Sequence, residues 1–325
     1  MTCSSADKVP VSVLIPVKNE EKNLPACLAS LTRADEVFVV DSQSSDRTVE
    51  IAAGSGAIVE QFYFNGRWPK KKNWALDKLP FRNEWVLIVD GDERIPDELW
   101  DDLAIAIANQ QFDGYHLKRK IIFLGRWLRH GGKYPDLNLR LFRHRLGRYE
   151  DLNIQDAADT GDNEVHEHVI LQRDGVRVNK NRIGILSHPM LHEDFRDIFH
   201  WIDRHNRYSN WEAQLYLNFL EGLPCGETGS IQANLFGTAL ERKRFLRRLW
   251  VWLPFRPTLR FIVLYFFWLG FLDGKAGYIH ARLISQYEYQ IGVKLYELRR
   301  DRRQSAASRV QPDRKVSSNA NTPFG

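Results

Sequence analysis

The stretch VLIVDGDERIP, residues 86–96, joins a hydrophobic run to a concentration of acids. The run ends directly in Asp90, Asp92 and Glu93. Carboxylates this close repel one another, so the sequence predicts a compensating cation or proton, and predicts that removing one acid relieves the repulsion. Alternate residues of an extended chain point the same way, so Asp90 and Asp92 are expected to share one side. Gly91 between them lets a ligand approach the backbone closely.

Strand-like and helix-like segments alternate four times around this stretch. The strands are predicted at 11–17, 36–42, 57–64 and 84–92, and the helices at 19–31, 44–56, 70–79 and 96–110. This alternation predicts an α/β fold, a parallel sheet with helices on both faces. Later strand-like segments at 114–124 and 137–144, and a hairpin at 168–178, predict that the sheet becomes mixed.

The last third of the chain has a different character. A long amphipathic helix is predicted at 195–222, followed by helical, basic and aromatic sequence. The predicted division is a flexible N-terminus at 1–10, a catalytic domain at 11–235, a basic and aromatic helical region at 236–303, and a disordered tail at 304–325, which is polar and poor in large apolar residues.

Composition narrows the function classes. The 325 residues are 43% hydrophobic, which suffices for a large core, and the net charge of +5 with a pI near 9.0 favours an anionic partner such as a nucleotide, a nucleic acid or a membrane surface. The three cysteines lie far apart without a CxxC motif, which argues against a disulfide framework or zinc site and fits a reducing, cytoplasmic compartment. The first ten residues lack the apolar stretch of a secretory signal.

The candidate site follows from the predicted sheet, because open α/β sheets bind ligands beyond the carboxyl ends of their strands. Asp90 and Asp92 after the fourth strand form a hard-oxygen pair suited to Mg²⁺ or Mn²⁺, which complete their coordination with substrate phosphates. The alternative is a capped turn before the helix that begins at Pro96. No GxGxxG motif follows the first strand, which disfavours a Rossmann dinucleotide site.

Two further features point to a nucleotide. Asp41, at the end of the second strand, is suited to accept hydrogen bonds from a nucleobase imide or a ribose hydroxyl. The alternative is a turn residue before a helix capped by Ser44, Ser45 or Asp46. Within the lysine run at 70–72, one side chain is expected to face the site and neutralise a diphosphate, although such runs are commonly solvated.

The motifs SVLIPVKNEEKNL, VFVVDSQSSDRT, KKKNWAL and WVLIVDGDERI together resemble the nucleotide-sugar-dependent glycosyltransferases of family 2, which have the GT-A fold. The later motifs YPDLNLRLFRH, VHEHV, MLHEDF and GFLDGKAG are similar to a bacterial branch that elongates lipopolysaccharide-core and exopolysaccharide chains. The resemblance implies inverting transfer of a sugar from a UDP-, GDP- or dTDP-sugar to a glycan or lipid-linked acceptor.

The resemblance also implies roles for individual residues. A nucleotide-binding set is predicted from Pro16, Asn19, Glu20, Asp41, Lys72 and Asp90. Asp90 and Asp92 hold the metal on the diphosphate, and His192 approaches the metal or diphosphate, with surface or packing histidine as the alternative. The residues predicted to stabilise the leaving diphosphate are Arg126, Arg140 and Arg143.

Inversion requires a general base for the acceptor hydroxyl, and a carboxylate is the usual choice. Glu167, in NEVHEHV, is the predicted base, and Asp136, in KYPDLNLR, is the second candidate. The alternative for Glu167 is an ordinary exposed strand residue.

Residues 240–274 combine arginines and lysines with a run of aromatic and aliphatic residues that is too short to span a bilayer. This pattern favours a helix in the interface of an anionic membrane, on the inner face of the cell membrane, over a core helix.

A nucleotidyltransferase is the rival enzyme class, but it is expected to carry a glycine-rich loop after the first strand, and residues 16–23 contain no glycine. A non-catalytic membrane-binding module is the other rival, and nucleic acid is not a predicted partner.

Overall fold

The computed structural model describes residues 8–151, 168–193, 197–222, 233–237 and 239–309. The strands are β1 Val9–Val17, β2 Ala34–Asp41, β3 Ile58–Gln61, β4 Trp85–Ile88, β5 Glu93–Arg94, β6 Gly114–Phe123, β7 Arg126–Trp127, β8 Asp136–Arg143, β9 Gly147–Tyr149, β10 Val169–Arg173, β11 Val176–Arg177, β12 Ile183–Ile185 and β13 Met190–His192. The α-helices are α1 Leu24–Ala29, α2 Thr48–Gly54, α3 Lys71–Lys78, α4 Asp97–Ala108, α5 Ile198–Leu220, α6 Ala239–Trp250, α7 Arg256–Ile262 and α8 Gly274–Arg309.

The main sheet is mixed, as the sequence predicts. Its order is β3-β2-β1-β4-β8-β6-β13-β5, with β12 and β7 also paired to β6. The first four strands are parallel, and β8 enters antiparallel between β4 and β6. A separate antiparallel sheet has the order β11-β10-β9. The predicted α/β class with a mostly parallel, mixed sheet is therefore confirmed.

Helices cover both faces of the sheet because alternate residues of β1 are buried on opposite sides. Val13 and Ile15 pack with α1, α2 and α4, whose buried residues include Leu24 and Trp100. Leu14 faces the other side and packs with α3 and the small sheet. β1 is consequently a central strand that is buried on both faces.

The C-terminal helices form a layer on α5. Tyr216 and Leu217 of α5 pack against Ile291 and Leu295 of α8. A second apolar cluster joins α5 and α8 to Phe123, at the end of β6. The predicted helical C-terminal region is present and is packed against the end of β6 in the main sheet.

Several boundaries differ from the predictions. β1 begins at Val9, inside the segment predicted to be flexible, and α8 continues to Arg309, past the predicted start of the tail. α7 is followed by a π-helical turn at Val263–Phe267 and a 3₁₀ turn at Gly270–Asp273. The residues 310–325 lie outside the described residues. The division at residue 235 remains a prediction.

In the described part of the chain, no single helix is both long and apolar enough to cross a membrane. Helical segments Arg256–Phe267 and Gly270–Ser305, bent by 73° to each other, meet the length and composition of a broken span as a pair.

One buried acid joins the two sheets. Asp113, directly before β6, has a side chain only 1% exposed. It accepts hydrogen bonds from Arg182 (Nε to Oδ2, 2.5 Å) and from Arg173 of β10 (Nη2 to Oδ1, 3.0 Å). The hydrogen bond from Arg182 lowers the pKa of Asp113, which the nearby arginines lower further. The ionised carboxylate therefore stabilises the folded state.

We predict that Asp113→Asn lowers the free energy of unfolding at neutral pH by about 2 kcal/mol, because it weakens charge-assisted hydrogen bonds at a buried site. Since the folded-state pKa is depressed, this stabilisation is present above the unfolded pKa of about 4 and is lost as the pH falls through the folded value. Urea denaturation at several pH values measures both effects. Asp77→Asn is the control, because the Asp77–Arg148 pair is partly exposed and is expected to contribute little. Equal stabilities of Asp113→Asn and wild type would refute the role of Asp113.

Candidate active site

The loops that follow β1 and β2 lie side by side, because these strands are parallel neighbours. Asn19 connects them: its backbone N–H donates to Ser44 Oγ (2.7 Å), and its Oδ1 accepts from the backbone N–H of Ser45 (2.8 Å). The backbone N–H of Glu20 donates to Thr48 Oγ1 (2.8 Å). Asn19 adopts a φ of 56°, a left-handed conformation that asparagine tolerates better than most residues. Two of the predicted nucleotide-binding residues thus shape the edge of the sheet.

Asp41 is fully buried at the end of β2. Its Oδ2 accepts from the backbone N–H of Ser44 (2.9 Å) and from Gln61 Nε2 (3.0 Å), and its Oδ1 accepts from the hydroxyl of Ser44. Asp46 Oδ1 accepts from the backbone N–H of Thr48 (3.0 Å) where α2 begins. The structure therefore gives Asp41 the turn role that was the alternative to nucleoside binding, and its contact with a nucleoside stays a prediction.

Pro16 lies within β1, paired with Val40, one residue before the loop. Gly91 lies against the same loop, because a Cβ on Gly91 would stand only 3.2 Å from Glu20 Cγ. The close approach predicted for Gly91 is thus made by the protein's own Glu20. The acidic turn and the loop after β1 therefore form one continuous surface.

The compensating cation at the acidic stretch is Arg140, whose side chain is 7% exposed on β8. Its Nη2 donates to Asp90 Oδ2 (2.5 Å) and to Glu93 Oε1 (3.2 Å). Lys72 Nζ lies 3.4 Å from Asp90 Oδ1, so this lysine of the 70–72 run faces the site. Burial raises the pKa of Asp90, but Arg140 and Lys72 outweigh it and hold that pKa well below the usual value. Asp90 is therefore ionised in the folded protein.

Asp90, Asp92 and Glu93 form an acidic group, of which Glu93 is the most deeply buried member. Its side chain is 0% exposed, and its Oε2 accepts from the backbone N–H of Asp90 (2.8 Å). Arg119 Nη1 of β6 lies 3.6 Å from its Oε1. Burial raises the pKa of Glu93, and the charge of Asp90 adds to the effect, while Arg140 opposes it. The sequence analysis counted Glu93 among the crowded acids but gave it no role in the site.

Asp92 faces a different partner. His192 Nδ1 lies 3.4 Å from Asp92 Oδ1, because β13 pairs antiparallel with β5 and places His192 opposite Glu93. Burial lowers the pKa of His192, but the charge of Asp92 outweighs it and raises the pKa above its ordinary value. For Asp92, burial raises the pKa, and His192 outweighs burial so that the net shift is downward. His192 is thus placed beside Asp92, and its approach to a metal or diphosphate stays a prediction.

Helix α5 covers this side of the group. Burial raises the pKa of Tyr208, and the charges of Asp92 and Asp90 raise it further. Arg204, one turn earlier on α5, also acts electrostatically on Asp92. Neither residue was predicted, because the amphipathic pattern of α5 does not reveal what its polar face contacts.

The acidic group suits a divalent cation by its chemistry. Among the described residues, no group of three or more His, Cys, Asp or Glu side chains is arranged to hold a metal ion. A pair of carboxylates is nevertheless a common protein contribution to Mg²⁺, which takes its other ligands from phosphates and water. Asp92 Oδ1 is buried and accepts no hydrogen bond among the described residues, and its nearest charged partner is His192 Nδ1 at 3.4 Å, so it has capacity for a further ligand. Asp90 and Asp92 therefore fit the predicted ion.

Of the two candidate bases, only Asp136 lies among the described residues. Glu167 lies outside the described residues. Asp136 begins β8, and its Oδ2 accepts from Arg119 Nε (2.7 Å). Burial raises the pKa of Asp136, but Arg119 outweighs it and lowers the pKa. Asp136 is therefore ionised but is a weak base while Arg119 holds it.

Two arginines predicted to stabilise the diphosphate lie elsewhere. Arg143 pairs with Trp85 at the first residue of β4, at the end opposite Asp90, because β8 runs antiparallel to β4. Arg126 donates to the carbonyl of Leu272 (3.3 Å). The prediction for Arg143 is wrong for this reason, whereas Arg140 lies in the site.

Comparisons with known proteins identify relatives of this chain. Residues 12–161 match the model of glycosyl transferase family 2. The lipopolysaccharide core biosynthesis glycosyltransferase LpsC of Rhizobium meliloti (strain 1021) is 27% identical over 305 residues, 89% of this chain and 93% of the relative. An uncharacterized glycosyltransferase of Rickettsia bellii (strain RML369-C) is 29% identical over 63% of this chain and 66% of the relative.

Among solved structures, the mannosyltransferase PcManGT from Pyrobaculum calidifontis, in complex with GDP-Man and Mn²⁺, is 16% identical. The match covers 89% of this chain and 87% of that one, with a TM-score of 0.45.

The family match spans the segments that carry Asp41, Asp90 and Asp92, and the LpsC match covers 89% of this chain. The predicted enzyme class is confirmed: residues 12–161 form a glycosyl transferase family 2 domain, and the chain is a glycosyltransferase.

Proposed function

We propose that this glycosyltransferase moves a sugar, with inversion, from a nucleotide-diphosphate sugar to a cell-envelope glycan or lipid-linked acceptor, and that the transfer depends on Mg²⁺ or Mn²⁺. The observation that carries the proposal is the acidic group at the end of β4, in which Asp90 and Asp92 are held at one edge of the sheet by Arg140 and His192. The similarity to a lipopolysaccharide core enzyme over 89% of this chain supports the acceptor class.

The donor would occupy the edge of the sheet between the first two loops and the acids. Asn19 and Glu20 fix the form of the loop after β1, and Asp41 fixes the turn after β2. Lys72 and Arg140 add two positive charges beside Asp90. Cations in such a position bind phosphate oxygens strongly, which supports placement of the diphosphate here.

Asp90 and Asp92, with His192 beside Asp92, would hold the divalent ion. When bound, the ion supplies Lewis-acid stabilisation of the charge on the leaving nucleoside diphosphate. The protein contributes the ionised state of Asp90, which Arg140 and Lys72 maintain, and a site partly covered by α5.

The acceptor would approach from the side of β8, where Asp136 begins the strand. An inverting displacement requires a base that removes the acceptor proton, and the acids at the end of β4 are committed to the ion. Glu167 remains the proposed base, supported by the hold of Arg119 on Asp136, which lowers the basicity of the alternative. The proposed location is the inner face of the cell membrane, where lipid-linked acceptors occur.

We predict that Asp92→Asn abolishes the metal-dependent part of the thermal stabilisation by nucleoside diphosphates, while the protein without ligand keeps nearly its wild-type melting temperature. Ligand stabilisation scales with the logarithm of ligand concentration over Kd, so a thermal-shift panel of UDP, GDP and dTDP with and without Mn²⁺ measures it. Asp101→Asn, an exposed acid on α4 that pairs with Arg33, is the control and should respond as wild type does. If Asp92→Asn retains the full metal-dependent shift, the metal assignment is incorrect.

Asp90→Asn is expected to behave differently. The structure reverses the expectation that removing this acid relieves repulsion, because Asp90 neutralises the buried Arg140. We predict that Asp90→Asn lowers the free energy of unfolding of the unliganded protein by about 2 kcal/mol, in addition to the loss of metal-dependent nucleotide binding. Urea denaturation without ligand measures the stability. An unchanged or increased stability would show that the Arg140 pair is not the compensating interaction.

We predict that Glu167→Gln lowers turnover by about two to four decades at unchanged donor affinity, because the amide keeps the shape but cannot accept the proton. Asp136→Asn is the paired variant, and it is expected to retain most activity. Turnover from initial rates and donor affinity by calorimetry are measured for both. Loss of turnover in Asp136→Asn alone would move the base to Asp136.

A further inference from the structure

The turn at Phe266–Leu272, which we call the aromatic turn, exposes an unusual amount of apolar surface. Six of its side chains belong to residues that are 43–75% exposed, namely Phe266, Phe267, Trp268, Leu269, Phe271 and Leu272. Contiguous exposed apolar patches on soluble proteins commonly mark an interaction site.

The aromatic turn is held rigidly in this outward form. The backbone N–H of Trp268 donates to the carbonyl of Val263 (2.8 Å), and the backbone N–H of Gly131 donates to the carbonyl of Trp268 (2.7 Å). Leu269 adopts a φ of 58°, which is unfavourable for a leucine. Gly270 is buried against the carbonyl of Leu264, where a Cβ would lie at 2.7 Å. The fold therefore maintains a strained backbone while these side chains face solvent, which points to a function for the exposure.

The surrounding charge identifies the occupant. Residues 239–282 contain nine lysines and arginines and two acids. Four of the nine, Arg244, Arg247, Arg256 and Arg260, pair with Glu150, Glu212 and Glu288, so the excess of positive charge rests on the other five. Lys275 and Arg129, on either side of the turn, are exposed, and one of the two acids, Asp273, is buried on His130. A second copy of the chain would bring like charges together, which disfavours self-association. Basic residues beside exposed aromatic side chains match the interface of an anionic phospholipid bilayer.

The aromatic turn also contacts the loop that leads to Asp136. His130 donates its backbone N–H to Asp273 Oδ2 (2.9 Å), and its Nδ1 lies 2.8 Å from Asp273 Oδ1. Gly132 packs against the Trp268 ring, since a Cβ there would lie 2.2 Å from it. The loop of residues 128–135 thus joins the aromatic turn at one end and Asp136 at the other.

We infer that the aromatic turn inserts into the interface of an anionic phospholipid bilayer and thereby holds the acceptor side of the active site close to the lipid surface. The inference rests on the proposed function for the acceptor, and it specifies which surface meets the membrane. Shallow insertion suits the packing of α8, because Ile291 and Leu295 are buried against α5 and are not available to lipid.

The test is flotation of the full chain with vesicles of phosphatidylcholine alone and of phosphatidylcholine with phosphatidylglycerol. Wild type should bind the anionic vesicles at low salt and be partly released at high salt. Phe266→Ser with Phe267→Ser should weaken this binding by about tenfold or more, since two large apolar side chains no longer enter the interface. Ile105→Ser with Val176→Ser is the matched control, because these residues are 73% and 70% exposed elsewhere, and it should bind as wild type does.

Thermal stabilisation by nucleoside diphosphate is measured on the same variants without lipid, so that a failure of the membrane inference is separated from a failure of the donor site. Vesicle binding by the phenylalanine variant equal to that of wild type would overturn the inference, as would the absence of wild-type binding to anionic vesicles. A wild-type dimer that becomes monomeric in the phenylalanine variant would instead identify the aromatic turn as a self-association surface.

Discussion

The buried guanidinium of Arg140 allows Asp90 and Glu93 to occupy the same end of β4. Without a cation, the buried carboxylate of Glu93 and the partly exposed carboxylate of Asp90 would have to take up protons or separate, and the acidic turn would lose its form. Arg140 reaches them because β8 is inserted antiparallel beside β4, with Leu141 opposite Leu87. The geometry of the candidate active site thus depends on the pairing of two strands that are far apart in the chain.

Local patterns were enough to predict the first half of the fold. β1 to β4 alternate with helices at intervals of a few residues, and each has the apolar run or capping signal expected of its type. The order of the later strands depends on contacts between distant segments. His192 meets Glu93 only because β13 pairs with β5, and Arg143 was wrongly assigned because the direction of β8 cannot be read from its residues.

For the site, too, the sequence predicted where residues lie in the chain better than it predicted which residues they contact. Sequence placed Asp41, Asp90 and Asp92 at the ends of strands. Asp41 is the last residue of β2, whereas β4 ends at Ile88, earlier than predicted, and Asp90 and Asp92 lie in the turn between β4 and β5. The sequence did not predict that the Asp41 carboxylate accepts hydrogen bonds from Ser44 and Gln61, because such contacts depend on the conformation of the loop after β2. It also missed the burial of Glu93, against which Arg140 of β8 and Arg119 of β6 lie. The lysine run at 70–72 was expected to place one side chain at the site, and Lys72, the residue named in the predicted nucleotide-binding set, lies beside Asp90.

The central claim is that Asp90 and Asp92 bind a divalent ion together with the diphosphate of a nucleotide sugar. A crystal structure of the chain with Mn²⁺ and a nucleoside diphosphate, with the anomalous signal of manganese recorded, tests it most directly. The account predicts a manganese peak within coordination distance of the Asp92 carboxylate and of phosphate oxygens, with Lys72 and Arg140 beside the diphosphate. A nucleotide bound elsewhere, or a diphosphate at this edge of the sheet with no manganese at the two aspartates, would contradict it.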